Sequence, residues 1–302
     1  MLISRPSAAA GLAPARRRST MADEHRDAAG KRGAGTNGGD AMNERMAVSR
    51  IGGVALDRKV SDSEQRLRVE LAAVFRVAHH LGWNVDTLNH ISLRIPGTDT
   101  FLMNPQGLGW DEITASSLST LDYEWNVLSH AGLKIQPAGY NFHSGILKAR
   151  PDVHCVMHVH ETASTVIGAL EEKLVILSQG GCRLHQEVGY HGFEGLAQDE
   201  DEVPRMLADL GDKHTLIMLN HGLLSIGASL GEAFGFMRAL IDACALQERV
   251  MATGGAMRPI PEALQAHTKA QMGGNRGNAP REDISWAYWL RLAERLDSAF
   301  AD

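Results

Sequence analysis

Three histidines in this chain stand at spacings that could hold one metal ion. His158 and His160 lie two residues apart in an apolar run. Successive side chains of a strand point to opposite faces, so both imidazoles project from the same face. His221 follows a second apolar run and precedes a glycine, which places it at the end of another strand. Three protein ligands with an open position are typical of a catalytic metal, although the spacing alone also fits an accidental pair.

The motifs around these histidines resemble the class II aldolase and adducin head-domain family. In chain order, the motifs that carry the resemblance are residues 89–94, 104–107, 142–143, 150–153, 158–160, 188–191 and 221–223. In the enzymes of this family the three matching histidines bind zinc or another divalent cation. The resemblance therefore implies that His158, His160 and His221 bind a divalent metal ion, with zinc expected and manganese or Fe(II) as alternatives.

The order of elements predicts an α/β fold with three layers. Residues 61–64 and 229–232 read as capping boxes that open long helices, and residues 91–95 and 100–103 read as a β-hairpin. Together with the resemblance, this indicates an α/β/α arrangement around a central mixed, mainly antiparallel sheet. We expect residues 1–55 to be a disordered tail and residues 56–302 to form one domain, with a helical C-terminal segment from about residue 260.

Composition narrows the class of protein. The first 50 residues carry nine Lys and Arg against five Asp and Glu, which leaves −10 for the rest of a chain whose net charge is −6. Such an acidic body argues against a nucleic-acid partner. No run of about 18 apolar residues occurs, so no membrane span is expected. The three cysteines are widely spaced and odd in number, which favours free thiols and a cytoplasmic location.

The sequence departs from the family's aldolases where the substrate phosphate would bind. Gly139 stands where they have an acid-base glutamate, and Pro137 and Ala138 match their two phosphate-binding serines. Their Gly-Asn pair ahead of Ser and Arg is replaced by Asn89 and His90. A sugar-phosphate aldolase is therefore not expected. We expect a metal-dependent lyase, an aldolase or decarboxylase that acts on a small oxo- or hydroxy-carboxylate.

Other side chains would then bind the substrate and transfer protons. The resemblance implies Tyr190 and His143 as catalytic residues, and Arg94, His90 and Gly107 as substrate-binding residues. Each interpretation has a structural alternative: Tyr190 as an ordinary amphipathic residue, His143 as a residue that orients the site or packs on the sheet, and Arg94 as a partner of an acid at a strand end.

Two further function classes stay open from the sequence. The segment 190–195 resembles family members that use iron and oxygen, so a non-haem Fe(II) oxygenase is one alternative. The other is a non-enzymatic module like the actin-associated adducin heads. The resemblance also implies a homo-oligomer, a tetramer in the family's enzymes, with a small-molecule substrate and no membrane or nucleic-acid partner.

Overall fold

The computed structural model describes residues 58–129, 133–196, 201–273 and 281–302. The tail predicted for residues 1–55 lies outside these ranges, so that prediction stays open. The predicted helical C-terminal segment falls largely within them and contains two helices.

A seven-stranded sheet forms the centre of the described chain. Its strands are β1 (His90–Arg94), β2 (Thr100–Met103), β3 (Ser119–Asp122), β4 (Cys155–Val159), β5 (Val188–His191), β6 (Thr215–Met218) and β7 (Gly222–Gly227). They lie in the order β3-β2-β1-β4-β7-β6-β5. Only β5 and β6 pair in parallel; every other neighbouring pair is antiparallel. The predicted mixed, mainly antiparallel sheet is confirmed, as is the β1–β2 hairpin.

Helices cover both faces of this sheet. They are α1 (Asp62–His80), α2 (Pro137–Ala149), α3 (Thr162–Gly168), α4 (Glu202–Leu210), α5 (Leu230–Ala252), α6 (Glu262–Gly273) and α7 (Arg281–Leu296), with 3-10 turns at Gly180–Leu184 and Ser298–Ala301. The buried residues of α1, α3 and α5 share one hydrophobic core with one face of the sheet. Those of α2 and α4 form a second core on the other face. The three-layer α/β/α fold is therefore confirmed.

Local sequence signals start the two longest helices where they were expected. The Ser61 hydroxyl accepts the backbone N–H of Glu64 at 3.2 Å, and that of Ser229 accepts the backbone N–H of Glu232 at 3.1 Å. These bonds satisfy N–H groups that have no partner inside the helix. In α1 the acidic residue does not return to its cap, since the Glu64 carboxylate instead accepts the buried Arg68 guanidinium at 2.9 Å.

Two further observations bear on the predicted class of protein. In the ranges that the structure describes, no helix is long and apolar enough to cross a membrane. Cys155, Cys182 and Cys244 are all buried and none is in a disulfide bond. Burial raises the pKa of the Cys244 thiol to about 12, so this thiol is protonated and unreactive at neutral pH.

Candidate metal centre

The structure brings the three predicted ligand histidines together. His158 lies in β4, His160 directly follows that strand, and His221 lies in the turn between β6 and β7. One ring nitrogen of each lies within 4.8 Å of one ring nitrogen of the others. The centroids of the three rings are 4.6 to 4.9 Å apart. One cation at this place could contact all three imidazoles.

The hydrogen bonds of His158 fit a metal ligand. Its Nδ1 donates to the Leu223 carbonyl at 2.9 Å, which leaves a lone pair on Nε2. That nitrogen lies 2.7 Å from Nε2 of His160, so the two atoms share a single proton. A cation held by both rings would take the place of that proton. A carbonyl that fixes the second ring nitrogen is the usual support of a metal-bound histidine.

Burial keeps these imidazoles in the neutral form that binds metals. Desolvation holds the pKa of His158 well below its usual value, and the charges of the neighbouring histidines lower it further. Desolvation, together with the charge of His160, lowers the pKa of His221 to about 4. Desolvation also lowers the pKa of His160. At pH 7 no ring therefore carries a second proton that a cation would have to displace.

A glycine allows the third histidine to approach the other two. A Cβ atom on Gly222 would lie 2.4 Å from the Val159 carbonyl oxygen and 2.7 Å from Cδ2 of His160. Real Cβ atoms essentially never come this close, so only glycine fits at position 222, the first residue of β7. The glycine that directly follows His221 in the sequence is therefore required by the close approach of Val159 and His160.

Beside the cluster, a chain of hydrogen bonds links three side chains from β1 and α2. His143 is fully buried, and its Nδ1 lies 2.6 Å from the Ser92 hydroxyl. Its Nε2 lies 2.9 Å from Nδ1 of His90. The His90 ring stacks on that of His158, with centroids 5.0 Å apart. The predicted site residues His90 and His143 thus lie beside the cluster, with His90 stacked on His158 and His143 hydrogen-bonded to His90.

Ser92 was not identified from the sequence as part of the site. Residues 90 and 92 alternate on one strand, so the same parity that joins His158 to His160 also joins His90 to Ser92. The register of β1 and β4 then places His90 directly opposite His158. The alternation of His90 and Ser92 was visible in the sequence. Its relation to the site became visible only through the pairing of β1 with β4, two strands that are distant in sequence.

The space in front of Gly139 is filled by His90. A Cβ atom on Gly139 would lie 2.7 Å from Cδ2 and 2.8 Å from Nε2 of the His90 ring. Gly139 belongs to the first turn of α2, the position where the resemblance places the family's acid-base glutamate. A side chain at position 139 and the present His90 ring therefore cannot occupy their places together.

The structure does not bring Tyr190 to the cluster. Paired residues of adjacent strands share a face, and Tyr190 pairs with Ile217, which pairs with Leu223, which pairs with Val159. Val159 points away from the face that carries His158. The Tyr190 hydroxyl accepts the backbone N–H of Leu174 at 3.0 Å, and burial raises the pKa of this phenol. This arrangement gives Tyr190 no role at the cluster within one chain.

We expect Tyr190→Phe to leave metal content unchanged and to lower the free energy of unfolding by about 0.5 to 1.5 kcal/mol, the usual worth of one hydrogen bond. The reason is that the substitution removes only the acceptor of the Leu174 N–H. Elemental analysis and urea unfolding would measure the two quantities. Loss of metal from this variant would contradict the placement of Tyr190.

His191, the next residue, lies on the face of the cluster. Its Nδ1 is 2.8 Å from an Asp209 carboxylate oxygen, and its Nε2 is 3.3 Å from one of Glu202. Both carboxylates belong to α4, so the ring fastens that helix to the end of β5. The charge of His191 also contributes to lowering the pKa of His221.

Arg94 and Glu187 lie at strand ends where they bind other protein groups. The Arg94 guanidinium donates to the Val153 carbonyl at 3.1 Å and to the Tyr123 hydroxyl at 2.8 Å, and it also contacts carbonyls at the end of α2. It sits about 13 Å along β1 from His90. Glu187 binds His214 at 2.6 Å and Lys269 at 2.5 Å. Neither charge is directed at the cluster.

Gly107, the remaining predicted substrate-binding residue, lies in an exposed turn that follows β2. Its φ of +93° is a conformation that glycine adopts readily. At the start of this turn, the Asn104 side chain donates to the Asn89 carbonyl at 3.1 Å and accepts the Ile91 N–H at 3.2 Å. These bonds hold the turn beside His90.

Comparisons with known proteins agree with this fold. The family model described as "Class II Aldolase and Adducin N-terminal domain" matches residues 69–247. The "Putative aldolase class 2 protein" of Caulobacter vibrioides is 38% identical over 259 residues, which cover 85% of this chain and 100% of that protein. Alpha-adducin of Rattus norvegicus is 37% identical over 246 residues, covering 78% of this chain and 33% of adducin.

A solved structure has a similar fold. An aldolase II superfamily protein from Pseudomonas syringae superposes with a TM-score of 0.75 at 37% identity, covering 80% of this chain and 98% of its own. The family model matches more than half of the chain, and it includes His158, His160 and His221. This chain therefore belongs to the class II aldolase and adducin N-terminal domain family.

Proposed function

We propose that this protein is a metal-dependent lyase, an aldolase or decarboxylase, that acts on a small oxo- or hydroxy-carboxylate. The observation that carries the proposal is a cluster of three neutral imidazoles whose neighbour, the His90 ring, packs against Gly139, with no hydroxyl or carboxylate side chain at residues 137–139. The donor set fits a divalent cation, for which zinc is our first choice and manganese or Fe(II) are alternatives.

The side chains of the cluster support this chemistry. His158, His160 and His221 would hold the cation, which when bound would act as a Lewis acid on a substrate carbonyl or carboxylate and stabilise an enolate. The Leu223 carbonyl orients His158, and the buried position of its ring excludes water from that side of the site. Pro137 and Ala138 offer no side-chain donor to a phosphate, so the substrate must be bound without contacts to a phosphate group.

We expect turnover of L-fuculose 1-phosphate to stay far below about 1 per second, an ordinary enzymatic rate, while unphosphorylated 2-oxo- or hydroxy-acids are cleaved faster. The physical reason is that Pro137 and Ala138 have no hydroxyl group that could donate a hydrogen bond to the substrate phosphate. Steady-state assays of the zinc-loaded protein with both substrate classes would measure the two rates. Efficient turnover of the sugar phosphate would overturn the substrate class that we propose.

A non-haem Fe(II) oxygenase is the second candidate, supported by the three neutral imidazoles and by the segment 190–195. Three histidines with open positions can hold Fe(II). Metal analysis followed by oxygen-consumption measurements on the iron-loaded protein would separate the two activities. The third candidate is a non-enzymatic module, supported by the likeness to alpha-adducin. Purification without any bound metal, and without activity after metal addition, would favour it.

We also propose a cytoplasmic homo-oligomer, with a tetramer as the first expectation from the family. The buried, unpaired cysteines support a reducing compartment. The Trp286 and Trp289 rings lie 5.7 and 5.3 Å from the Phe234 ring of the same chain, so they pack within the chain. Tyr288 is 45% exposed beside them and is the better candidate for a contact between chains. Sedimentation at micromolar concentration tests the oligomer.

A further inference from the structure

The hydroxyl of Ser92 determines where the protons of its neighbours lie. Ser92 is fully buried, and within the described ranges its side chain has one hydrogen-bond partner, Nδ1 of His143 at 2.6 Å. A buried hydroxyl proton without an acceptor is costly, because the group has lost its bonds to water. The hydroxyl therefore donates, and Nδ1 of His143 is the acceptor.

The proton of His143 is fixed by the same bond. Its ring is fully buried, and no carboxylate contacts it in the part of the chain that the structure describes, so the imidazole is neutral. A neutral imidazole carries its single proton on one nitrogen. With Nδ1 accepting from Ser92, the proton lies on Nε2, which donates to Nδ1 of His90 at 2.9 Å.

The last ring in the chain then presents a donor. Nδ1 of His90 accepts from His143, so the proton of His90 lies on Nε2. Among the described residues, no protein group accepts a hydrogen bond from this nitrogen. Nε2 lies 2.8 Å from the place of a Cβ atom on Gly139, and the ring stacks on His158. The ring that carries this N–H group therefore stands beside the three histidines of the cluster.

We propose that Nε2–H of His90 is a substrate-binding donor that takes an anionic oxygen of the substrate, a carboxylate or enolate oxygen, where the family's aldolases have a carboxylate. This inference rests on the proposed function and deepens it. A carboxylate side chain accepts hydrogen bonds and repels an anion, whereas the N–H group attracts one. The exchange at positions 90 and 139 thus favours a substrate oxygen that carries negative charge at this place.

The positions of the protons can be measured without any activity. In protein labelled with ¹⁵N-histidine, the ring nitrogen shifts distinguish protonated from unprotonated nitrogens, and His90→Gln and His143→Gln would assign the signals. We expect Nε2–H and bare Nδ1 on both His90 and His143, with and without zinc. A proton on Nδ1 of His90 would overturn the proposal. Because the metal-free protein can be measured, failure of the lyase function would not obscure this result.

Ser92→Ala provides a variant that changes the proton positions and little else. The serine hydroxyl is the group that specifies the direction of the hydrogen bonds, so its loss should let His143 and His90 exchange between two tautomers. The ¹⁵N signals of both rings should then move towards averaged values. Unchanged signals would show that another group sets the tautomer, and the argument from Ser92 would fail.

Binding of oxalate, a small dianion, tests the substrate role. By calorimetry on the zinc-loaded protein, we expect His90→Leu to weaken oxalate binding by about 10- to 100-fold, the usual effect of losing a hydrogen bond to a charged group. His90→Gln, which keeps an N–H donor, should stay within about threefold of the parent. Zinc content should be equal in all three proteins.

The outcomes separate the two proposals. Equal oxalate affinity in the parent and in His90→Leu, or no oxalate binding to the zinc-loaded parent, would overturn the anion-binding role of His90. A parent protein that binds no zinc would instead overturn the proposed lyase, while the ¹⁵N measurement would still decide the proton positions.

Discussion

His160→Ala is expected to reduce the zinc content of the purified protein from close to one ion per chain to near zero. Two nitrogens would remain, from His158 and His221, and a divalent cation held by two imidazoles has lost one of the three protein ligands that a catalytic site needs. His160 is the best of the three for this test because it is only partly buried and follows β4, so its removal leaves a small cavity. Elemental analysis after dialysis would measure the change.

His154→Ala is the matched control for this substitution. His154 precedes the same strand with the same parity as His158 and His160, so spacing alone would also permit it as a ligand. The structure leaves it out of the cluster. We expect the His154→Ala protein to keep its full zinc content. Equal metal in the parent and in His160→Ala would show that the cluster is not the binding site.

The fold was predictable from the sequence to a large extent because its signals are local. Caps at Ser61 and Ser229 and the turn between β1 and β2 depend on residues within a few positions of each other. Alternation within β4 likewise places His158 and His160 on one face without knowledge of any other strand. Such patterns are specified by backbone geometry, so they persist in the folded chain.

The position of Tyr190 could not be predicted in the same way. Its face is set by a row of pairings that passes from β5 through β6 and β7 to β4, and one of these pairings is parallel. A shift of one residue in any of these strand pairings would turn Tyr190, instead of His191, towards the face of the cluster. The resemblance drew attention to segment 188–191, but it could not decide which of two neighbouring side chains faces the cluster.

The relation between His90 and Gly139 was also hidden in the sequence. Each was recognised as a departure from the family, one in a strand and one in a helix, but the two were not connected. The structure shows that the two changes affect the same space, because the His90 ring occupies the place that a side chain at position 139 would need. A compensation of this kind depends on a contact between β1 and α2, which no local pattern reveals.

Gly139→Ala should therefore destabilise the protein, although alanine normally favours a helix. The added methyl would meet the His90 ring at 2.7 Å, and overpacking of this kind usually lowers the free energy of unfolding by about 1 to 3 kcal/mol. The ring cannot move aside freely, because it is bonded to His143 and stacked on His158. Urea unfolding with an unchanged m-value would measure the loss. Gly192→Ala, where a Cβ atom meets nothing within 4 Å, is the control and should change stability by less than about 0.5 kcal/mol.

The same substitution should reverse its sign when His90 is made small. In a His90→Ala background the methyl group at position 139 has room, and exchange of glycine for alanine in a helix stabilises by up to about 1 kcal/mol. Met103 also lies within 2.9 Å of the new atom, but the contact is the flexible end of its side chain and can move. A double-mutant cycle would then give a coupling free energy of about 1 to 3 kcal/mol between the two positions. An equal loss in both backgrounds would mean that Met103 or the helix itself limits the site, and the view that His90 replaces the family's carboxylate in space would have to be abandoned.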